Sequence, residues 1–209
     1  VTELAPKSTK YIAVDKYDSP ISKKVKDNNN IEFKQMNVPP LKGIEENSID
    51  YVVTFQVIEH IQNDVQFIKE IYRVLKPGGK LILTTPNLLM SLSRNPWHIR
   101  EYTPQSMRDI LETSFSDIEM NGVFGNEKIM EYYNVNKKSV ERIRKWDIFN
   151  FEKNMPRRLL QVPYDILNRF NRHKLQDKNE SLVNDVKYTD YLISEMTDKC
   201  LDYLCIATK

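Results

Sequence analysis

A doubly wound α/β sheet, mostly parallel, with a helical insertion before its last strand is the fold this sequence predicts. Three observations carry that reading. The run from Ile49 to Asn87 passes from strand to helix to strand, with turn residues at the joints. Short apolar runs recur at 11–15, 31–38, 115–124 and 201–208. Residues 126–180 are mostly helical in pattern, with Pro156 and Pro163 as breaks.

The elements follow in order. Tyr11 to Asp15 reads as a short buried strand ending in an acid, and Ile31 to Val38 as a second, stopped by Pro39 and Pro40. Ile49 to Phe55 is rich in β-branched and aromatic residues and suits a strand buried on both faces. Ile61, Val65, Ile68, Tyr72 and Leu75 recur at helical spacing and predict one apolar face. Lys76 to Gly79 should end that helix and turn the chain, because proline cannot continue it and glycine accepts positive φ. Lys80 to Thr85 is the next strand. Thr103 before Pro104 is a favourable N-cap and N1 pair, so 103–113 reads as a helix. Phe115 to Phe124 and Leu201 to Thr208 read as strands.

At 209 residues, the chain is long enough for one domain with a full core. No apolar run approaches the length of a membrane span, and no signal peptide is visible, so a cytoplasmic protein is expected. Cys200 and Cys205 lie in an apolar segment and are expected to be buried free thiols rather than metal ligands. The net charge of +2 hides an asymmetry: residues 126–175 hold 12 Lys/Arg against 6 Asp/Glu. That excess is either a solvated helical face or a basic surface for an anionic substrate or partner.

Three motifs carry a family resemblance: VIEHI at 57–61, RVLKPGG at 73–79 and TTPN at 84–87. Together they resemble the class I S-adenosylmethionine-dependent methyltransferases, of the type 11 or ubiquinone-pathway kind. The resemblance implies a Rossmann-like fold, S-adenosylmethionine as cofactor, and ligands bound at the carboxyl edge of the sheet. It also implies a glycine-rich loop after a first strand, and nothing like it precedes Tyr11. The expectation is that the sequence is N-terminally incomplete and lacks the central strand between 11–15 and 49–55. The alternative is a divergent domain that closes its sheet differently.

The resemblance places Asp15 on the cofactor's ribose hydroxyls, Asn37 and Val38 at the adenine, and Gln56 beside the methionine part. Glu59 and His60 are the candidates for chemistry. Histidine titrates near neutrality and suits the removal of a proton from an acceptor hydroxyl or ammonium; the pair could equally shape the pocket alone. His98, in NPWHIREYT at 95–103, should lie over the same edge. Two families pair an E-x-x-E-H run with a later histidine or acid to hold a divalent metal: small-RNA 2′-O-methyltransferases and ubiquinone-pathway O-methyltransferases. Here Gln56 replaces the first glutamate and removes a charge, and the reading assigns no metal.

Within 126–180, Trp146, Phe149, Phe151, Tyr164 and Phe170 interleave with Arg142, Arg144, Arg157, Arg158, Arg169 and Arg172. The segment reads either as a substrate lid or as a helical pair with arginines facing water. Leu159, Leu160, Val162, Ile166, Leu167 and Phe170 could also form an apolar stripe at an interface. The function expected is methyl transfer from S-adenosylmethionine to an oxygen of a small-molecule or glycan-linked acceptor, and the basic excess suits an anionic one. The alternatives are a metal-assisted RNA 2′-O-methyltransferase and a non-catalytic scaffold that kept the fold.

Overall fold

The computed structural model describes residues 4–17, 30–145, 154–162, 164–166 and 186–209. Two parallel strands, β1 (Tyr11–Asp15) and β2 (Ile31–Gln35), pair with each other. A five-stranded sheet follows, built from β3 (Ile49–Phe55), β4 (Leu75–Pro86), β5 (Asp117–Gly125), β6 (Tyr191–Glu195) and β7 (Asp202–Thr208), in the order β3-β4-β7-β5-β6. β3, β4 and β5 run one way, and β6 and β7 run the other. The helices α1 (Asp64–Val74), α2 (Pro104–Glu112) and α3 (Glu127–Arg144) lie between these strands in sequence. Among the described residues, no strand bonds β1 to β3.

Local chemistry explains the helix ends. Asn63 caps α1 by accepting from the Gln66 amide at 3.2 Å. Thr103 caps α2 in a reciprocal box with Ser106, and Pro104 occupies the first turn, as the sequence predicts. α1 buries Phe67, Ile68, Ile71 and Val74 against the sheet, where Leu81, Leu83 and Ala207 are fully buried.

Several expectations are corrected. The apolar face of α1 runs through Phe67, Ile71 and Val74, while Val65 is exposed. The helix begins at Asp64, so Ile61 packs from the turn before it and Leu75 from the strand after it. The segment Lys76 to Gly79 is the irregular start of β4, with its register shifted against β3 between Ile49 and Tyr51; Gly78 has φ +78°. β3 is not buried on both faces: Tyr51 and Phe55, four residues apart and so on the same face, are 64% and 53% exposed. β2 stops at Gln35, three residues early, and β5 starts at Asp117. The edge strand β6 was not expected, and all five of its residues are exposed.

The loop after β2 is held by a charged clamp. Arg73 donates to both carboxylate oxygens of Glu70 at 3.0 Å, and to the carbonyls of Ile44 at 3.0 Å and Leu41 at 3.2 Å. The Leu41 amide donates to the same carboxylate at 2.9 Å. These bonds, led by Arg73, hold the Glu70 carboxyl below its ordinary value, against the opposing effect of burial. Its stabilising contribution is therefore present above the ordinary carboxylate pKa and is lost as pH falls through the lower folded value. Glu70→Ala is expected to cost about 1.5–3 kcal/mol in urea unfolding at neutral pH, the scale of charge-assisted bonds. The difference from the parent should narrow as pH falls below 4.5, the carboxyl's ordinary value. A difference that stays constant with pH would remove the charge from this account.

Candidate active site

The chain leaves β3 through Gln56, whose φ of +55° is uncommon for a side-chain-bearing residue. A 3-10 turn, Ile58–His60, follows immediately. That turn points the Glu59 side chain inward, where it is 1% exposed, and leaves His60 partly in solvent. The Glu59 carboxylate accepts from the Thr85 hydroxyl, at the end of β4, at 3.1 Å. Its other oxygen is 4.0 Å from His60 Nε2.

The loop between β4 and α2 closes over this turn. Its base is fastened where the Leu88 amide donates to the Tyr102 carbonyl at 3.0 Å. Its far side is fastened by the Glu59 carbonyl, which accepts from the amides of Ile99 at 2.7 Å and Arg100 at 3.2 Å. Trp97 offers its carbonyl to His60 Nδ1 at 3.0 Å. A carbonyl only accepts, so Nδ1 carries the proton, and the Nε2 of a neutral His60 keeps its lone pair on the Glu59 side. The His60 and His98 rings meet edge to face, with centroids 5.0 Å apart.

Glu59, His60 and His98 thus come together, with one donor atom from each within 4.8 Å of the others. One carboxylate and two imidazoles suit several divalent metals in chemistry. His98 Nδ1 bonds Glu101 at 2.7 Å and its Nε2 bonds Asn95 at 2.8 Å, so a metal would have to displace one of them.

Gln56 is exposed but belongs to the same neighbourhood, since its side chain bonds Asp202 at the start of β7. Burial raises the Asp202 carboxyl above its ordinary value, the Gln56 bond opposes this, and the Glu59 charge adds to the rise. Asp15 and Asn37 are exposed at and just beyond the carboxyl ends of β1 and β2; Asp15 accepts from the Tyr17 amide at 2.9 Å. Val38 packs against the core. These three residues share one end of the two-stranded sheet and have no direct bond to the Glu59 cluster among the described contacts.

Sequence reasoning missed a supporting layer. Asp64, 4% exposed, accepts from the Tyr102 hydroxyl at 2.8 Å and pairs with Arg100. Burial raises the Tyr102 hydroxyl to about 12, so it stays a donor. Asp64 directly follows the capping Asn63, and that position alone hinted at a role beyond the surface. Thr85, Asp202, Asn95 and Glu101 gave no such hint.

The insertion lies against the same loop. Arg94 donates to the Met155 carbonyl at 3.2 Å, and the Trp97 indole donates to Asp165 at 2.9 Å. Arg144 donates to the Leu92 carbonyl at 3.0 Å. Helical segments occupy 157–162 and 164–166, with Leu160 buried and Leu159, Val162 and Ile166 exposed. Arg142 and Arg158 are exposed, and Arg157 and Tyr164 half-buried. Trp146, Phe149, Phe151, Pro163, Leu167, Arg169, Phe170 and Arg172 lie outside the described residues.

Part of the chain is similar to known methyltransferases. Residues 1–83 match the profile of a methyltransferase domain. A probable S-adenosylmethionine-dependent methyltransferase of Mycolicibacterium smegmatis is 41% identical over 90 residues, 40% of this chain and 35% of that protein. The mitochondrial ubiquinone biosynthesis O-methyltransferase of Rattus norvegicus is 53% identical over 38 residues, 18% of this chain and 11% of that one. The matched region thus spans little more than a third of the mycobacterial relative.

Solved structures agree on the fold. Phosphoethanolamine N-methyltransferase 2 of Haemonchus contortus, in complex with S-adenosyl-L-methionine, superposes with a TM-score of 0.52 at 21% identity. The match covers 95% of this chain and 43% of that one. A methyltransferase of Thermotoga maritima gives 0.53 at 13% identity, covering 95% and 72%. These structures share with this chain a Rossmann-like fold. No helix among the described residues is long and apolar enough to cross a membrane.

Proposed function

We propose that this chain, with its class I methyltransferase signature and fold, moves a methyl group from S-adenosylmethionine to an acceptor oxygen. The acceptor is a small molecule or a glycan-linked group. The observation that carries the reading is the convergence of Glu59, His60 and His98 at the carboxyl edge of the sheet, beside Gln56. The bound cofactor supplies an electrophilic methyl on a sulfonium. The acceptor oxygen forms the new bond to carbon as the carbon–sulfur bond breaks, and the electron pair leaves with sulfur. The protein's part is alignment, exclusion of water, and removal of the acceptor's proton.

His60 is the base in this scheme. Its Nδ1–H is spent on the Trp97 carbonyl, which fixes the ring and leaves Nε2 to take the proton. Glu59, buried 4.0 Å from that nitrogen, stabilises the imidazolium that results. His98 meets the His60 ring edge to face and completes the cluster. Gln56 borders the methionine part of the cofactor; Asp15 holds its ribose, and Asn37 and Val38 its adenine. A second reading, metal-assisted transfer to an RNA 2′-hydroxyl, is favoured by the three donor atoms within 4.8 Å. The described insertion is the acceptor lid, because its contacts fall on the 92–97 part of the loop that bonds His60. The cytoplasm, where the buried free thiols Cys200 and Cys205 persist, is the compartment of this reading.

Calorimetric titration of the full-length protein with S-adenosylmethionine tests the cofactor. Asp15→Ala should weaken binding by roughly 1.5–3 kcal/mol. No binding by the parent protein would leave the non-catalytic scaffold. His60→Ala should lower turnover on the order of 10²–10⁴-fold with cofactor affinity nearly unchanged. Loss of activity on chelation, restored by a divalent ion, would favour the metal-assisted reading instead.

The lid makes a separate prediction. Replacing Arg157 and Arg158 together by alanine should raise the KM for an anionic acceptor and leave cofactor affinity alone. Added salt should have the same effect, because exposed charges are screened over about 8 Å at physiological ionic strength. Kinetics indifferent to both changes would return these arginines to a solvated helical face.

A further inference from the structure

The bonds around His98 determine where its single ring proton sits. The Trp97 amide donates to Asn95 Oδ1 at 3.0 Å, which settles the orientation of the Asn95 side chain. Its nitrogen, Nδ2, is therefore the atom that faces His98 Nε2 at 2.8 Å. An amide nitrogen only donates, so Nε2 must offer a lone pair and bears no proton. The proton of the neutral ring is on Nδ1, where it meets Glu101 Oε1 at 2.7 Å. The other Glu101 oxygen accepts from the Ser91 hydroxyl, so the carboxylate is itself held from behind. Side chains at this dyad are 15% and 10% exposed, which shields both bonds from exchange with water.

We infer that Asn95 and Glu101 are positioning residues that lock His98 as a neutral imidazole with its proton on Nδ1. The locked ring meets the His60 ring edge to face, with centroids 5.0 Å apart, and so seats the ring that carries the chemistry. Both imidazoles are then held through the Trp97 region of one loop: His60 by the Trp97 carbonyl, His98 by an asparagine that the Trp97 amide orients. The sequence Asn95 to Glu101 is thereby a single device. Its effect on turnover rests on the reading of His60 as base; its effect on the His98 proton does not.

Long-range proton–nitrogen correlation spectra of the full-length protein, labelled at histidine nitrogen, test the lock directly. The chain has three histidines, His60, His98 and His173, so His173→Gln and His98→Gln assign the signals. His98 should show a protonated Nδ1 and an unprotonated Nε2. Glu101→Gln, whose amide can also donate to the ring, should convert this to a mixture of the two tautomers. Glu101→Asp should keep the native form in part. Turnover in Glu101→Gln should fall roughly 10–100-fold, the scale seen for second-layer partners of functional histidines, with cofactor affinity unchanged. A proton on Nε2 in the parent protein, or no spectral response to Glu101→Gln, overturns the inference. A tautomer shift with unchanged turnover supports the lock and overturns the chemical role of the His60 and His98 pair.

Discussion

All four hydrogen-bonding positions of the Asn87 amide are used inside the protein. Its nitrogen donates to the carbonyls of Cys200 at 2.8 Å and Asp198 at 3.1 Å. Its oxygen accepts from the Leu89 amide at 2.9 Å and from the Tyr203 hydroxyl. The residue is 1% exposed, so each of these bonds replaces one that water would otherwise make, and losing any one leaves a desolvated group behind. Through this one side chain the end of β4, the approach to β7 and the start of the loop carrying His98 are fixed together. The hydrogen bonds from that loop to Glu59 and His60 follow from where it is launched.

Two carboxylates, Glu70 and the half-buried Asp202, show how differently such a group can be accommodated. Glu70 meets a guanidinium in two-fold contact and keeps its charge readily. Asp202 has an amide for a partner and the Glu59 carboxylate as a neighbour, so ionisation is disfavoured there. The first arrangement braces a loop. The second lies at the carboxyl edge beside Gln56, where strained backbone and awkward charge coincide, a combination usual at working sites.

Much of this was legible in the sequence, for identifiable reasons. Strands β1, β3 and β7 announce themselves through runs of β-branched and aromatic residues, and α2 through Thr103 and Pro104. The cluster of Glu59, His60 and His98 followed from placing two motifs at the ends of neighbouring strands. The layer behind it did not, because Asn95, Glu101 and Asp202 act through partners that only the folded loop supplies. β6 was overlooked because five exposed residues leave no alternating burial signal. The burial of β3 departs from its apolar pattern because such a run reports what a strand can bury, not whether another layer covers each of its faces. Val65 was misassigned because the pattern was counted from Ile61, which precedes the helix, whereas the helix's own register begins at Asn63.

The strand order carries a further consequence. β4 and β5 bond not to each other but each to β7, in registers that join Lys80 to Thr208 and Asp117 to Thr208. During synthesis both strands emerge long before the segment that will pair them. Until Asp202–Thr208 leaves the ribosome, β4 and β5 each hold an open edge, a state prone to pair with other chains. The sheet is closed from its middle, by the strand that comes last in sequence among those described. Joining β4 and β5 into one sheet therefore waits on the strand that comes after both of them.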